Sequence, residues 1–364
     1  MWLSRLAARP FLLRGVPRLP LVLCMLTLVA GLAWQAAREG SGPGHPTRPA
    51  TVEAAGPPDG EGGPAPARPE ASTDAAATSW PPAPPSKRAR RLLAIADLRT
   101  LPALPEPGPS NRLAPHAEEG QSLAELLARA RRDVTETRHT LRLQPLDDVA
   151  PLGVDVAVLA EHLRCYHGLP VTTAAPARPA ELTTRTQSLT GRRRVLTTDV
   201  LRWLEGEVIR DLVRVLALTT EELHPQESWS LVLRVASLHR GVGVFSLARM
   251  DAAFPAPPPD PATRSASERA RVLRRCLKVV THEVGRMFAL EHCIGRSCLM
   301  NGSNHAAEMD RTPLHLCPFC LRKVQRATRL DAAQRYTALA AFCRARGVDA
   351  EAAWVDALLQ RVPE

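Results

Sequence analysis

The sequence predicts an α/β domain in which helices pack on a mixed or mostly parallel sheet. Three observations carry this: apolar runs of strand length alternate with helically periodic stretches between residues 140 and 250, one long amphipathic helix follows, and four cysteines then fall within 28 residues. Residues 140–146 alternate like a strand, and 154–166 repeat at helical spacing. Residues 198–209 read as a further helix, and 211–218, 229–236 and 241–250 as strands separated by glycine and polar breaks. The prolines of 254–261 make a loop. Ser267 is placed to cap the long helix, whose apolar stripe is Val272, Cys276, Val279, Val280 and Met287. Upstream, Leu123, Leu126, Leu127 and Ala130 predict a helix over 122–133; downstream, 332–364 reads as two amphipathic pieces around Gly347, with Cys343 a buried thiol.

Four regions follow: an N-terminal segment 1–39, a tether 40–121, the α/β domain 122–330 and a helical extension 331–364. Arg5, Arg9, Arg14 and Arg18 precede an apolar run over 19–37, long enough at about 1.5 Å per residue to cross a membrane. The expectation is an anchor with the N-terminus cytoplasmic, or a secreted protein if the segment is cleaved near Ala36 and Ala37. Residues 40–86 are rich in Pro, Gly and Ala, the composition of a disordered tether. Lys87, Arg88, Arg90 and Arg91 then read as a solvated basic face. The net charge of +10 comes from arginine, with lysine only at 87, 278 and 323, and 34 prolines accompany it. That bias reads as background composition, and no nucleic-acid partner is expected.

Chemistry concentrates in the last third. The long helix carries His282 and Glu283, and His292 follows ten residues after His282. A hydrolytic zinc site built on a helix needs histidines one turn apart, a glutamate beside the first to take a proton from metal-bound water, and a third ligand beyond a sharp turn. Positions 282, 283 and 292 fit; position 286, where the second histidine belongs, is arginine. Cys293 and Cys298 enclose four residues and Cys317 and Cys320 enclose two, a spacing suited to a closed four-thiolate structural zinc.

These residues resemble the archaemetzincin family of zinc metallopeptidases, whose pattern is HExxHxxGxxHC, four residues, C-x-M, a spacer and C-x-x-C. His282, Glu283, His292, Cys293, Cys298, Met300, Cys317 and Cys320 match it, and the likeness covers about 137–330. The resemblance implies a metzincin-like α/β domain with a mixed sheet, an active-site helix and two zinc ions. One would be catalytic, on three histidines with Glu283 as general base, and one structural, on the four cysteines. Met300 would be the methionine beneath the catalytic metal.

Two departures bear on activity. Ala289 stands where the family has the glycine that turns the chain toward the third ligand, at a cost of about 1 to 2 kcal/mol for a left-handed residue. Arg286 is the graver one: a guanidinium about 4 Å from a divalent ion, at an effective dielectric near 20, repels it by about 8 kcal/mol. Arg286 is expected to pair with Glu283 and leave a metal-free site; alternatively its head swings away and Glu291, His305 or His315 completes the shell. The functions in play are a zinc peptidase acting on a peptide or protein substrate, and a silent relative that keeps only the structural zinc and binds a peptide or protein partner.

Overall fold

The computed structural model describes residues 86–362 apart from 96–101, 116, 130, 187–189, 209–210 and 226–233. Strand β5 (Leu212–Thr219) lies at the centre, buried at all eight positions. It pairs in parallel with β1 (Thr140–Pro145), which pairs in parallel with β2 (Val171–Thr173). On its other side β5 pairs in parallel with β8 (Val242–Ser246), and β8 pairs antiparallel with the edge strand β7 (Arg234–Ser237). The order β2-β1-β5-β8-β7 is thus a mixed sheet, as the sequence predicts. A second sheet, β3 (Thr184–Thr186), β4 (Arg193–Leu196) and β6 (Glu222–His224), is built of strands of three or four residues. Runs that short show no clear alternation, so the sequence reading passed over them.

Strand β5 feeds two cores, its residues alternating between them from Val215 to Leu218. Val213, Leu216 and Leu218 join the larger one, with α3 (Val156–His167) and α5 (Ala266–Met287). Leu212, Val215 and Ala217 join the smaller one, with Val200 and Leu204 of α4 (Thr197–Gly206). The strand is apolar on both faces because both are covered. Arg214, fully buried between these positions, donates to the carbonyls of Met287 (2.9 Å) and Arg132 (2.7 Å) and lies over the Phe288 ring. It ties the central strand to the end of α5.

Helix α5 starts earlier than the sequence reading placed it. Ser265, not Ser267, is the cap: its hydroxyl accepts from Glu268 N and the Glu268 carboxylate accepts from Ser265 N at 2.8 Å. The Ser-x-x-Glu spacing of a reciprocal cap exists only from Ser265. The C-terminal helices α7 (Pro318–Thr328), α8 (Ala332–Ala345) and α9 (Asp349–Gln360) continue the larger core through Tyr336, Leu339, Phe342 and Val355, with Cys343 buried as expected.

Two expectations are revised. The membrane anchor and the locations drawn from it do not stand, because among the described residues no helix is long and apolar enough to cross a membrane. Residues 19–37, and the tether over 40–85, lie outside the described residues. The described residues of 87–121, expected to continue the tether, pack on the domain instead. Helix α1 (Lys87–Ile95) buries Ala89 and Leu92 against α8, and Arg88 donates to the Val362 carbonyl at 3.0 Å. Its basic residues alternate with apolar ones at helical spacing, so only part of the run faces water: Lys87, Arg90 and Arg91 are exposed.

Candidate metal centres

Neighbouring residues His292 and Cys293 enter two different clusters. In the first, the ligand atoms of Cys293, Cys298, Cys317 and Cys320 all lie within 4.8 Å of one another. A tetrahedral zinc with Zn–S of about 2.3 Å sets sulfur edges of about 3.8 Å, and Cys293 Sγ to Cys317 Sγ is 3.7 Å. The loops are already shaped to present sulfur as an acceptor: the backbone N–H groups of Cys317 (3.2 Å) and Met300 (3.4 Å) donate to Cys298 Sγ. Hydrogen bonds from the other thiols pull the Cys293 thiol far below its usual range, while burial pushes the Cys298 thiol up. Asn301 closes the 293–301 loop on itself. Its Oδ1 accepts from Cys298 N (2.8 Å) and its Nδ2 donates to the carbonyls of Cys293 (2.6 Å) and Arg296 (2.9 Å). The donor set and its surroundings fit a structural zinc.

The second cluster gathers on the last turns of α5. His282 Nδ1 bonds the Leu299 carbonyl at 2.9 Å, and the His282 and His292 rings lie 5.3 Å apart. Gly285 leaves room for Met300: a Cβ there would come 2.8 Å from the methionine sulfur. Met300 therefore sits directly beneath the helix turn bearing His282 and Glu283. Ala289 adopts φ +69°, the left-handed turn that the motif demands of that position. The backbone arrangement of the histidine motif is retained.

Its chemistry is not. Arg234 on β7 donates to both carboxylate oxygens of Glu283 (2.5 and 2.6 Å), and its other terminal nitrogen lies 3.2 Å from His292 Nε2. Arg286 does not pair with Glu283 as the sequence reading expected. It donates to the Leu290 carbonyl at 2.9 Å, because the turn at Ala289 strips that carbonyl of a helical partner. Burial and the neighbouring Arg234 lower Arg286 to about 10, so it stays charged at neutral pH. Burial pushes the Glu283 carboxyl up, against the pull of Arg234.

On its other edge His292 Nδ1 bonds the Glu118 carboxylate at 2.9 Å, which Arg112 Nε also reaches at 2.9 Å. Burial raises the Glu118 carboxyl, but the His292 and Arg112 bonds outweigh it and hold it at about 2. Burial takes His292 down to about 4, so its ring is neutral, donating from Nδ1 and accepting from Arg234 at Nε2. The lone pair that a zinc ion would need is thus engaged by a guanidinium, and the middle ligand position holds a group with no lone pair. This donor set does not fit a catalytic zinc.

Each of the substitute donors considered from sequence has another partner. Glu291 pairs with Arg129. His305 Nδ1 accepts from Glu308 N (3.2 Å) at the start of α6 (Ala306–Arg311). His315 stacks on Trp354 at 3.7 Å and bonds Glu351 at 3.1 Å. Sequence reasoning missed Arg234, Glu118 and Asn301. Arg234 sits in an expected strand with nothing to mark its target, and Glu118 lies 174 positions from His292, so only the fold brings these together.

A family model for peptidase family M54 matches residues 262–326. The chain is similar to archaemetzincin-2 of Pongo abelii, 37% identical over 158 residues covering 39% of this chain and 44% of that protein. It is likewise similar to archaemetzincin-2 of Mus musculus, 30% identical over 258 residues covering 63% of this chain and 71% of that protein. The alignment with the Pongo abelii protein thus spans less than half of that relative's length. Among solved structures, the archaemetzincin of Methanopyrus kandleri is 27% identical, with 54% of this chain and 99% of that one covered and a TM-score of 0.41.

Proposed function

The chain belongs to the archaemetzincin family of zinc metallopeptidases, and from that premise we propose that it keeps a structural zinc, lacks the catalytic one, and uses its cleft to hold a peptide or protein partner rather than to cut it. Cys293, Cys298, Cys317 and Cys320 would hold the structural ion, which would cross-link the two loops that carry them. The observation that carries the reading is Arg234: its guanidinium bridges Glu283 and His292, where hydrolysis would need a metal-bound water beside a free carboxylate. An apolar groove of about 420 Å³ beside His292, walled by Leu123, Ile294 and the half-exposed Phe319, gives a partner room to bind.

The second reading is an active peptidase with Glu283 as general base and zinc on His282 and His292. It draws on the anchoring of both Nδ1 atoms, which leaves Nε2 as the atom each ring could offer to a metal. Metal analysis of the purified full chain beside a peptidase assay separates them. One zinc per chain and no turnover is expected; two zinc ions with turnover would overturn the proposal. The double variant Arg234→Ala, Arg286→His is expected to take up a second zinc, since it removes both guanidinium groups and restores the missing imidazole.

A further inference from the structure

The cleft is already lined by a piece of this chain that precedes the domain. Pro102 and Ala103 run antiparallel to the loop before Cys298, with an Ala103–Arg296 bridge and a bond from Ser297 N to the Pro102 carbonyl at 3.0 Å. Arg112 N donates to the Glu308 carboxylate at 3.0 Å, and the Arg112 side chain lies over Gly302, where a Cβ would meet it at 2.3 Å. Glu118 bonds His292 Nδ1 at 2.9 Å. Gln121 then uses its side-chain amide as a backbone unit: Nε2 donates to the Ala289 carbonyl (2.9 Å) and Oε1 accepts from Glu291 N (3.2 Å). That alternation of acceptor and donor, two residues apart on one edge, is what an added peptide strand would satisfy.

We infer that residues 102–115 and 117–121 form a strap that occupies the partner site in cis, and that the partner it stands in for is a peptide carrying a carboxylate three residues before a side-chain amide, as Glu118 precedes Gln121. The inference rests on the reading of the cleft as a peptide-holding site. Contacts come from the strap's two ends and middle, and those of its C-terminal end engage atoms for which the domain supplies no other described bond: the Ala289 carbonyl, the Glu291 amide and His292 Nδ1. A tethered segment acts at an effective concentration of about millimolar. A free peptide at micromolar concentration therefore meets a filled site until the strap is weakened.

The test uses the full chain and a fluorescent synthetic peptide of residues 102–121. The double variant Glu118→Ala, Gln121→Ala is expected to be cleaved within the strap by trypsin at least tenfold faster than the parent, with its zinc content unchanged and its thermal transition still cooperative. It should bind the labelled peptide at micromolar concentration while the parent does not, and a peptide carrying the same two alanines should bind at least tenfold more weakly. Equal peptide binding by parent and variant, no binding by a variant whose strap has been freed, or unchanged trypsin sensitivity would each overturn the inference. Metal count and turnover are read separately, so a finding of two zinc ions would overturn the silent-site reading while peptide capture still reports on the strap.

Discussion

His292 and Cys293 are adjacent in the chain, yet the clusters they enter have diverged in opposite directions. Around Cys293 every donor is retained, and backbone N–H groups and Asn301 brace the loops that carry the sulfurs. Around His292 the backbone is retained, with the left-handed turn at Ala289 and Met300 packed beneath Gly285, while the positive charge now comes from Arg234 and Arg286. The thiol cluster joins two separate loops, so a metal held there would couple them and stabilise the fold directly. The histidine cluster sits on a capped helix of 22 residues anchored by Arg214, which needs no metal to stand. On the reading proposed above, that difference would let one set of ligands be lost while the other is kept.

The largest effect that could break this contrast is metal removal. Chelation of the purified protein, or Cys320→Ser, is expected to abolish the cooperative thermal transition or lower its midpoint by more than 10 °C, since losing a four-thiolate zinc removes several kcal/mol. An unchanged transition after complete zinc loss, measured by calorimetry with metal analysis, would show that the cage does not hold the fold. Next in size is Arg234→Ala. It strips Glu283 of its bidentate partner in a buried setting, at a cost of about 2 to 4 kcal/mol, read by urea unfolding. Adding zinc to this variant should recover part of the loss if His282 and His292 can still act as ligands. No recovery would mean that Arg286 alone keeps the ion out.

Much of the fold was legible because its determinants are local. The periodicity of α3 and α5, the apolar run of β5 and the cysteine spacing each lie within a window of a few turns. The four thiols were readable as a cluster because spacing constrains them; the cleft was readable only in its departures. Arg286 stood out as a wrong residue at a known position, but where its guanidinium goes depends on a carbonyl exposed by the turn at Ala289. Arg234 and Glu118 reach the histidines from an edge strand and from a segment ahead of the domain, contacts that no sequence window contains. The expected Arg286–Glu283 pair failed for this reason: a competitor was present that the sequence could not place.

The smallest predicted effect tests whether the turn beside the cleft is strained or has been rebuilt around alanine. Ala289 holds φ +69° with its side chain buried, so its Cβ crowds its own backbone in a way that glycine would not. Ala289→Gly is expected to stabilise the protein by about 0.5 to 1 kcal/mol, because relief of the left-handed strain exceeds the lost burial of one methyl and the added freedom of the unfolded chain. A rise of a few degrees in the midpoint, with unchanged zinc content, would place the strain in the turn itself. A fall would mean that the buried methyl, packed with Phe288 and Leu290 in the larger core, outweighs the strain, and that the turn has been rebuilt around alanine. Either way the thiol cage should not register the change, since Cys293 is fixed by its own bond to the Met300 carbonyl at 2.8 Å and by Asn301 rather than by the turn.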